Sequence, residues 1–141
     1  MSSAASHRIE PHHGDLRIAL RAPSLAALFE EAARALAEIV AGASAESDAA
    51  DADDVETITL TAPDREALLV DWLNELIYLT ETRHRIYDRP RILQLDDHAL
   101  TAEVRGRPAT IRRSLVKAAT FHDLRIREDV GEASATVLLD T

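Results

Sequence analysis

Polar and apolar residues alternate from Asp15 to Arg21, and Leu16, Ile18 and Leu20 at period two predict a half-buried strand. The period then lengthens. Behind the capping pair Pro23-Ser24, residues Leu25, Leu28, Phe29, Ala32, Leu36, Ile39 and Val40 recur at three- and four-residue spacings, which predicts an amphipathic helix ending at Gly42. From Gly42 to Asp54 the chain is Ala, Ser, Asp and Glu without periodicity, as expected for a solvated connection. Alternation returns at Val55–Ala62, where Ile58, Leu60 and Ala62 oppose Thr57, Thr59 and Thr61, giving a second strand.

Pro63-Asp64 fits the first turn of a second helix, whose stripe is Leu68, Leu69, Trp72, Leu73, Leu76 and Ile77 and whose opposite face carries Asp71, Asn74, Glu75 and Tyr78. The rest reads as strands. Arg91–Leu95 and Leu100–Arg105 flank an Asp96-Asp97-His98 turn, and Leu115–His122, Leu124–Glu128 and Ala133–Leu139 follow around Gly131. Two helices against the buried face of a mainly antiparallel or mixed sheet make an α+β fold. The expected organisation is a flexible segment 1–6 followed by a single domain over 7–141, within the usual size of one core.

Composition adds limits. With 46% hydrophobic and 29% charged residues the chain can bury a core, and with only 4% aromatics that core is aliphatic. No cysteine is present, which excludes disulfides, thiolate metal sites and cysteine nucleophiles. The absence of an apolar run in Met1–His7 or of a membrane-length apolar stretch leads us to expect a cytoplasmic protein. A formal net charge of -9 disfavours extended nucleic-acid binding and suits a divalent cation or a basic partner.

Several constellations are weak. The acidic loop fails the calcium-loop pattern whether it starts at Asp48 or Asp51, because the sixth position lacks Gly and the twelfth lacks Glu. His12-His13 lie in a turn-like Glu10–Gly14 segment, and His84 and His98 in predicted loops. Ser114, His122 and Asp123 lack a nucleophile elbow, and no phosphate-binding glycine loop occurs. Arg105, Arg107, Arg112, Arg113 and Lys117 form a local basic cluster, either a charged strand edge or a contact for phosphate or carboxylate. Lys117 stands apart within the apolar run Val116–Phe121. Asp140 and Thr141 follow an apolar strand, so that if Asp15 lay beside them the two side-chain carboxylates and the Thr141 carboxylate would suit Ca²⁺ or Mg²⁺.

Two segments are distinctive: Asp71-Trp72-Leu73-Asn74-Glu75-Leu76-Ile77-Tyr78-Leu79 and Val116-Lys117-Ala118-Ala119-Thr120-Phe121-His122. Together with Val137-Leu138-Leu139-Asp140-Thr141 and the strand after Asp15, they resemble the archease family from about His7 onward. The resemblance implies an α+β fold and a role as activator of the RNA ligase RtcB, which joins a 2′,3′-cyclic phosphate or 3′-phosphate end to a 5′-hydroxyl with GTP and Mn²⁺ in tRNA splicing or RNA repair. It implies a divalent metal, Ca²⁺ first and Mg²⁺ or Mn²⁺ next, on Asp15, Asp140 and Thr141, with Lys117 as the activating lysine. Where the family has Asp-His-Thr-Ala-Asp this chain has Pro11-His12-His13-Gly14-Asp15, so only His12 and Asp15 match. The alternatives are a stand-alone metal-dependent phosphohydrolase and a chaperone-like interaction module.

Overall fold

The computed structural model describes residues 4–42, 44–46, 54–111 and 116–141. The first of two sheets contains β1 (Ser6–His12), β2 (Asp15–Ala22), β7 (Ala118–Thr120), β8 (Arg127–Asp129) and β9 (Glu132–Asp140). Its order is β1-β2-β9-β7, with β8 also on β9. The hairpin from β1 to β2 turns on His13 and Gly14, with φ of 49° and 88°. Two consecutive positive φ values belong to the tight turn whose twist matches antiparallel strands, and glycine enters that region without a Cβ clash. The turn expected over Glu10–Gly14 is narrower, His13-Gly14 alone, because Glu10, Pro11 and His12 belong to β1 and pair with β2.

The second sheet contains β3 (Ser44–Glu46), β4 (Asp54–Thr61), β5 (Arg85–Leu95) and β6 (Ala99–Ile111), with β6 pairing all three others. Every pairing among the described residues is antiparallel. Several strand limits differ from expectation for identifiable reasons. The single sheet we anticipated is two, because alternation shows which face of a strand is apolar but not which strands pair. Residues 44–46 form a short strand on β6 inside the stretch expected to be only a connection. The strand expected to start at Arg91 starts at Arg85, since β5 is a sheet edge and Pro90 costs no ladder hydrogen bond there. β6 continues past Arg105 because Gly106 leaves room for the Tyr87 ring, whose atoms would lie 2.8 Å from an added Cβ.

Helix α1 (Leu25–Gly42) packs on β2 and β1 of the first sheet and on β5 of the second. Ser24 caps it, its hydroxyl accepting from the Ala27 N–H at 3.1 Å. Helix α2 (Arg65–Arg83) packs on β7 of the first sheet and on β4, β5 and β6 of the second. Pro63 and Asp64 precede this helix instead of forming its first turn. Asp64 is the N-cap, in extended conformation with its carboxylate accepting from Ala67 N–H at 2.8 Å, and His84 closes the other end in the left-handed region. The predicted α2 stripe is buried, and Ala67, Val70, Leu79 and Thr80 are buried with it, as contact with both sheets requires. Among the described residues neither helix is long and apolar enough to cross a membrane.

The helices are also tied directly. Trp72, fully buried, donates its indole N–H to the Phe29 carbonyl at 2.8 Å. Indole adds its one polar atom to an aliphatic core without leaving it unpaired. Trp72→Phe removes this donor and some volume, and should cost about 2 kcal/mol of stability. Urea unfolding of the two proteins measures the loss; equal midpoints would show that the bond contributes nothing net.

Candidate functional site

One end of the first sheet gathers residues from three distant parts of the chain. In the β2–β9 register Leu16 faces Leu139, and one further step sets Asp15 opposite Asp140. On the other side of β9, Ala118 faces Asp140, and the Lys117 N–H donates to the Asp140 carbonyl at 2.8 Å. Thr141 closes the group: its N–H donates to Asp15 Oδ1 at 3.2 Å and its hydroxyl to the Gly14 carbonyl at 2.8 Å. Two of the three sheet neighbours of β9, β2 and β7, thus bring Asp15 and the adjoining Lys117 to its last residues. Leu139 is fully buried, so the strand's alternation turns the Asp140 side chain to the opposite, exposed face of the sheet.

Lys117 is exposed although it sits in an apolar run beside buried Val116, and it lies immediately before β7. That short strand is held from α2. Asn74 Oδ1 accepts from Ala119 N–H at 2.8 Å, and its amide group donates to the Ala119 carbonyl at 3.5 Å. Sequence reasoning placed Asn74 only on a polar helix face. The available signal was an asparagine, a poor helix former that bonds readily to backbone, in the middle of a helix. Two exposed aromatics flank this element: Phe121 follows β7 directly and is 57% exposed, and Tyr78, one helical turn after Asn74, is 60% exposed.

The donor chemistry fits an oxygen-preferring divalent cation. Carboxylates at the adjoining ends of neighbouring strands offer hard oxygens, and Thr141 already orients one of them. Among the described residues no three His, Cys, Asp or Glu side chains gather to hold a metal. An ion bound to Asp15 and Asp140 would therefore complete its shell from Thr141 or main-chain oxygens and from water. His12 pairs with Asp15 across the hairpin and stacks edge-on against His13 with ring centroids 4.5 Å apart.

Other residues noted in the sequence have different surroundings. Arg107 bonds to Asp88 at 3.1 Å, whereas Arg112 and Arg113 lie outside the described residues, as do Asp48, Asp51 and Ser114. His84 caps α2, and the His98 N–H closes the turn on Asp96 at 2.7 Å. His122 and Asp123 form an exposed pair at 3.3 Å.

Residues 7–141 match the model of the archease protein family (MTH1598/TM1083). The chain is 31% identical over 121 residues to protein archease of Methanothermobacter thermautotrophicus, covering 80% of this chain and 82% of that one. Against protein archease of Methanosarcina barkeri it is 27% identical over 137 residues, covering 92% and 91%. The solution structure of Methanobacterium thermoautotrophicum protein 1598 superposes with a TM-score of 0.65 at 26% identity, covering 96% of this chain and 98% of that chain. The crystal structure of a Thermotoga maritima protein described as an archease, possible chaperone, has the same fold, with a TM-score of 0.64 at 20% identity and coverage of 96% and 99%.

Removing the Asn74 amide strips Ala119 of both side-chain bonds. Asn74→Ala should lower stability by about 1–2 kcal/mol and raise amide hydrogen exchange over residues 117–120. Exchange there that matches the unsubstituted protein would mean that β7 is held by β9 alone.

Proposed function

The chain belongs to the archease family, and from that membership we propose that it is a protein activator of an RtcB-type RNA ligase. It is not itself the ligase. The observation carrying this reading is the convergence of Lys117, Asp15, Asp140 and Thr141, the family-implied set, at one exposed end of one sheet. Its activity would be exerted in the cytoplasm, in tRNA splicing or RNA repair, by promoting guanylylation of the ligase and repeated turnover.

Lys117 carries the direct electrostatic part. Lys117 is exposed and adjoins a strand held by Asn74 and by the Asp140 carbonyl, so it presents a positive charge from an anchored backbone. It would steady a phosphate oxygen of GTP, or a carboxylate near the ligase's nucleotide site, so that the transferring phosphate is better placed. Asp15, Asp140 and an oxygen of Thr141 would hold the divalent ion, with Ca²⁺ favoured and Mg²⁺ or Mn²⁺ as alternatives. Such an ion offsets the mutual repulsion of the carboxylates and stiffens this end. Tyr78 and Phe121 add apolar anchors of the kind that protein interfaces bury at their centres.

These exposed aromatics also favour a second reading, a chaperone-like interaction module, the description attached to the Thermotoga relative. The two readings separate on charge: a general interaction module should not need Lys117 or Asp140. A stand-alone phosphohydrolase would turn over phosphoesters without any ligase.

The deciding assay uses limiting ligase from the same source with GTP, Mn²⁺ and RNA ends. Product should exceed one equivalent of ligase only when this protein is added, and Lys117→Ala or Asp140→Ala should cut that turnover by about tenfold or more, the scale of one charge-assisted contact. Undiminished turnover with both variants would sink the assignment of these residues. Separately, calorimetric titration with Ca²⁺ should show binding weakened at least about tenfold by Asp15→Asn or Asp140→Asn. Identical isotherms would remove the metal from this end of the sheet.

A further inference from the structure

A groove of about 690 Å³ lies on the outer face of the first sheet, away from the Asp15–Asp140 end. Arg8 and Arg21 stand on one wall and Arg125 and Arg127 on the other, over a floor that includes Ala19, Ser134 and Thr136. In a chain of net charge -9, four guanidinium groups around one hollow are a strong local reversal. Among the described residues Asp123 is the one carboxylate in the lining.

One wall is built in advance of any ligand. Ile126 is buried, so its neighbours Arg125 and Arg127 both project outward. The first turn of α2 grips the Ile126 backbone on both sides: Glu66 accepts its N–H at 3.0 Å, and Arg65 donates to its carbonyl at 3.0 Å while also pairing with Glu128. Among the described residues, the Arg125 and Arg127 side chains make no hydrogen bond or ion pair. On the opposite wall the exposed Arg8 and Arg21 have half-buried carboxylate partners, Glu10 at 3.7 Å and Glu132 at 3.4 Å. Such surface pairs are weak and yield readily to a stronger anion.

The lining also indicates which anion. Guanidinium forks with the Ser134 and Thr136 hydroxyls supply many donors, which matches the oxygens of phosphate. Among the described residues no Phe, Tyr or Trp lines the groove, and of its apolar members Ala19, Leu20 and Ala135 the last two are buried in the core, so it lacks the exposed aromatic anchors that protein interfaces depend on. A phosphate backbone needs no such anchor, because its binding draws on charge and counterion release. We propose that this arginine groove binds the phosphodiester backbone of a short single strand of nucleic acid, without reading its bases. The net acidity of the rest of the chain confines the contact to a few phosphates. Thr136 and Asp140 are on the same strand, about 13 Å apart at the usual rise per residue, so a strand held here passes near the Lys117 end. The groove's binding does not depend on the ligase reading, and it is tested without a ligase.

The test is fluorescence anisotropy of a labelled oligouridylate of roughly ten nucleotides with the purified protein. Binding should fall with salt with a log–log slope of about -2 to -3, as three or four phosphate contacts predict. Arg125→Glu/Arg127→Glu should weaken it by about tenfold or more and flatten the slope. The charge-matched control Arg89→Glu/Arg91→Glu, on β5 of the other sheet, should bind as the unsubstituted protein does. If charge reversal disturbs β8, as circular dichroism would reveal, Arg125→Gln/Arg127→Gln gives the same comparison in the same direction. Absence of binding, or equal weakening by the control pair, would overturn the proposal. So would tripolyphosphate binding as tightly as the oligonucleotide, which would make the ligand a small phosphate compound. Displacement by hexaglutamate at equal concentration would instead assign the groove to an acidic protein segment.

Discussion

Strand β9 is held along one side by β2, from Ala133 to Leu139, and at its two ends on the other side by β8 and β7. That arrangement is the constraint on which the rest of the molecule depends. Its buried set, Ala133, Ala135, Val137 and Leu139, forms part of the core, while the intervening residues face outward. A one-residue slip of its register would bury Asp140 and expose Leu139, so the hydrophobic core and the placement of the acidic end are set by the same pairing. Hydrophobic burial supplies the driving force, and the ladder converts it into position.

Helix α2 is the second organiser, and it acts through a few polar side chains at known heights. Arg65 and Glu66 hold the backbone at Ile126, Trp72 holds α1 at Phe29, and Asn74 holds β7 at Ala119. These contacts explain why the chain leaves the sheet between β7 and β8. The N–H and carbonyl of Ile126 are satisfied by side chains instead of a ladder, so the strand we expected over Leu124–Glu128 is confined to Arg127–Asp129. The same logic shortens β7 to Ala118–Thr120, where Asn74 adds its bonds to those from β9; Leu115 of the longer strand expected there lies outside the described residues.

Charge is distributed against the average on this scaffold. The chain is acidic overall, and its carboxylates at Asp15 and Asp140 sit at the end of β9 where Lys117 also emerges. The other end of the same face carries arginines, two of them without side-chain partners among the described residues. One sheet thus carries opposite local fields at its two ends.

The amino-acid sequence by itself determined the two helices, the buried faces of the main strands, the α+β class and the family, because periodicity and local motifs are read along the chain. Asp15, Lys117, Asp140 and Thr141 were all legible as candidates on residue type and resemblance, and tertiary structure brought them to one place. Only the fold decided that the strands divide into two sheets, that Asn74 and not another polar residue of α2 would clamp Ala119, and that Arg8 and Arg21 would face Arg125 and Arg127. The physical reason is separation: those partners stand dozens to more than a hundred residues apart, and no local propensity encodes which distant backbone a side chain will meet.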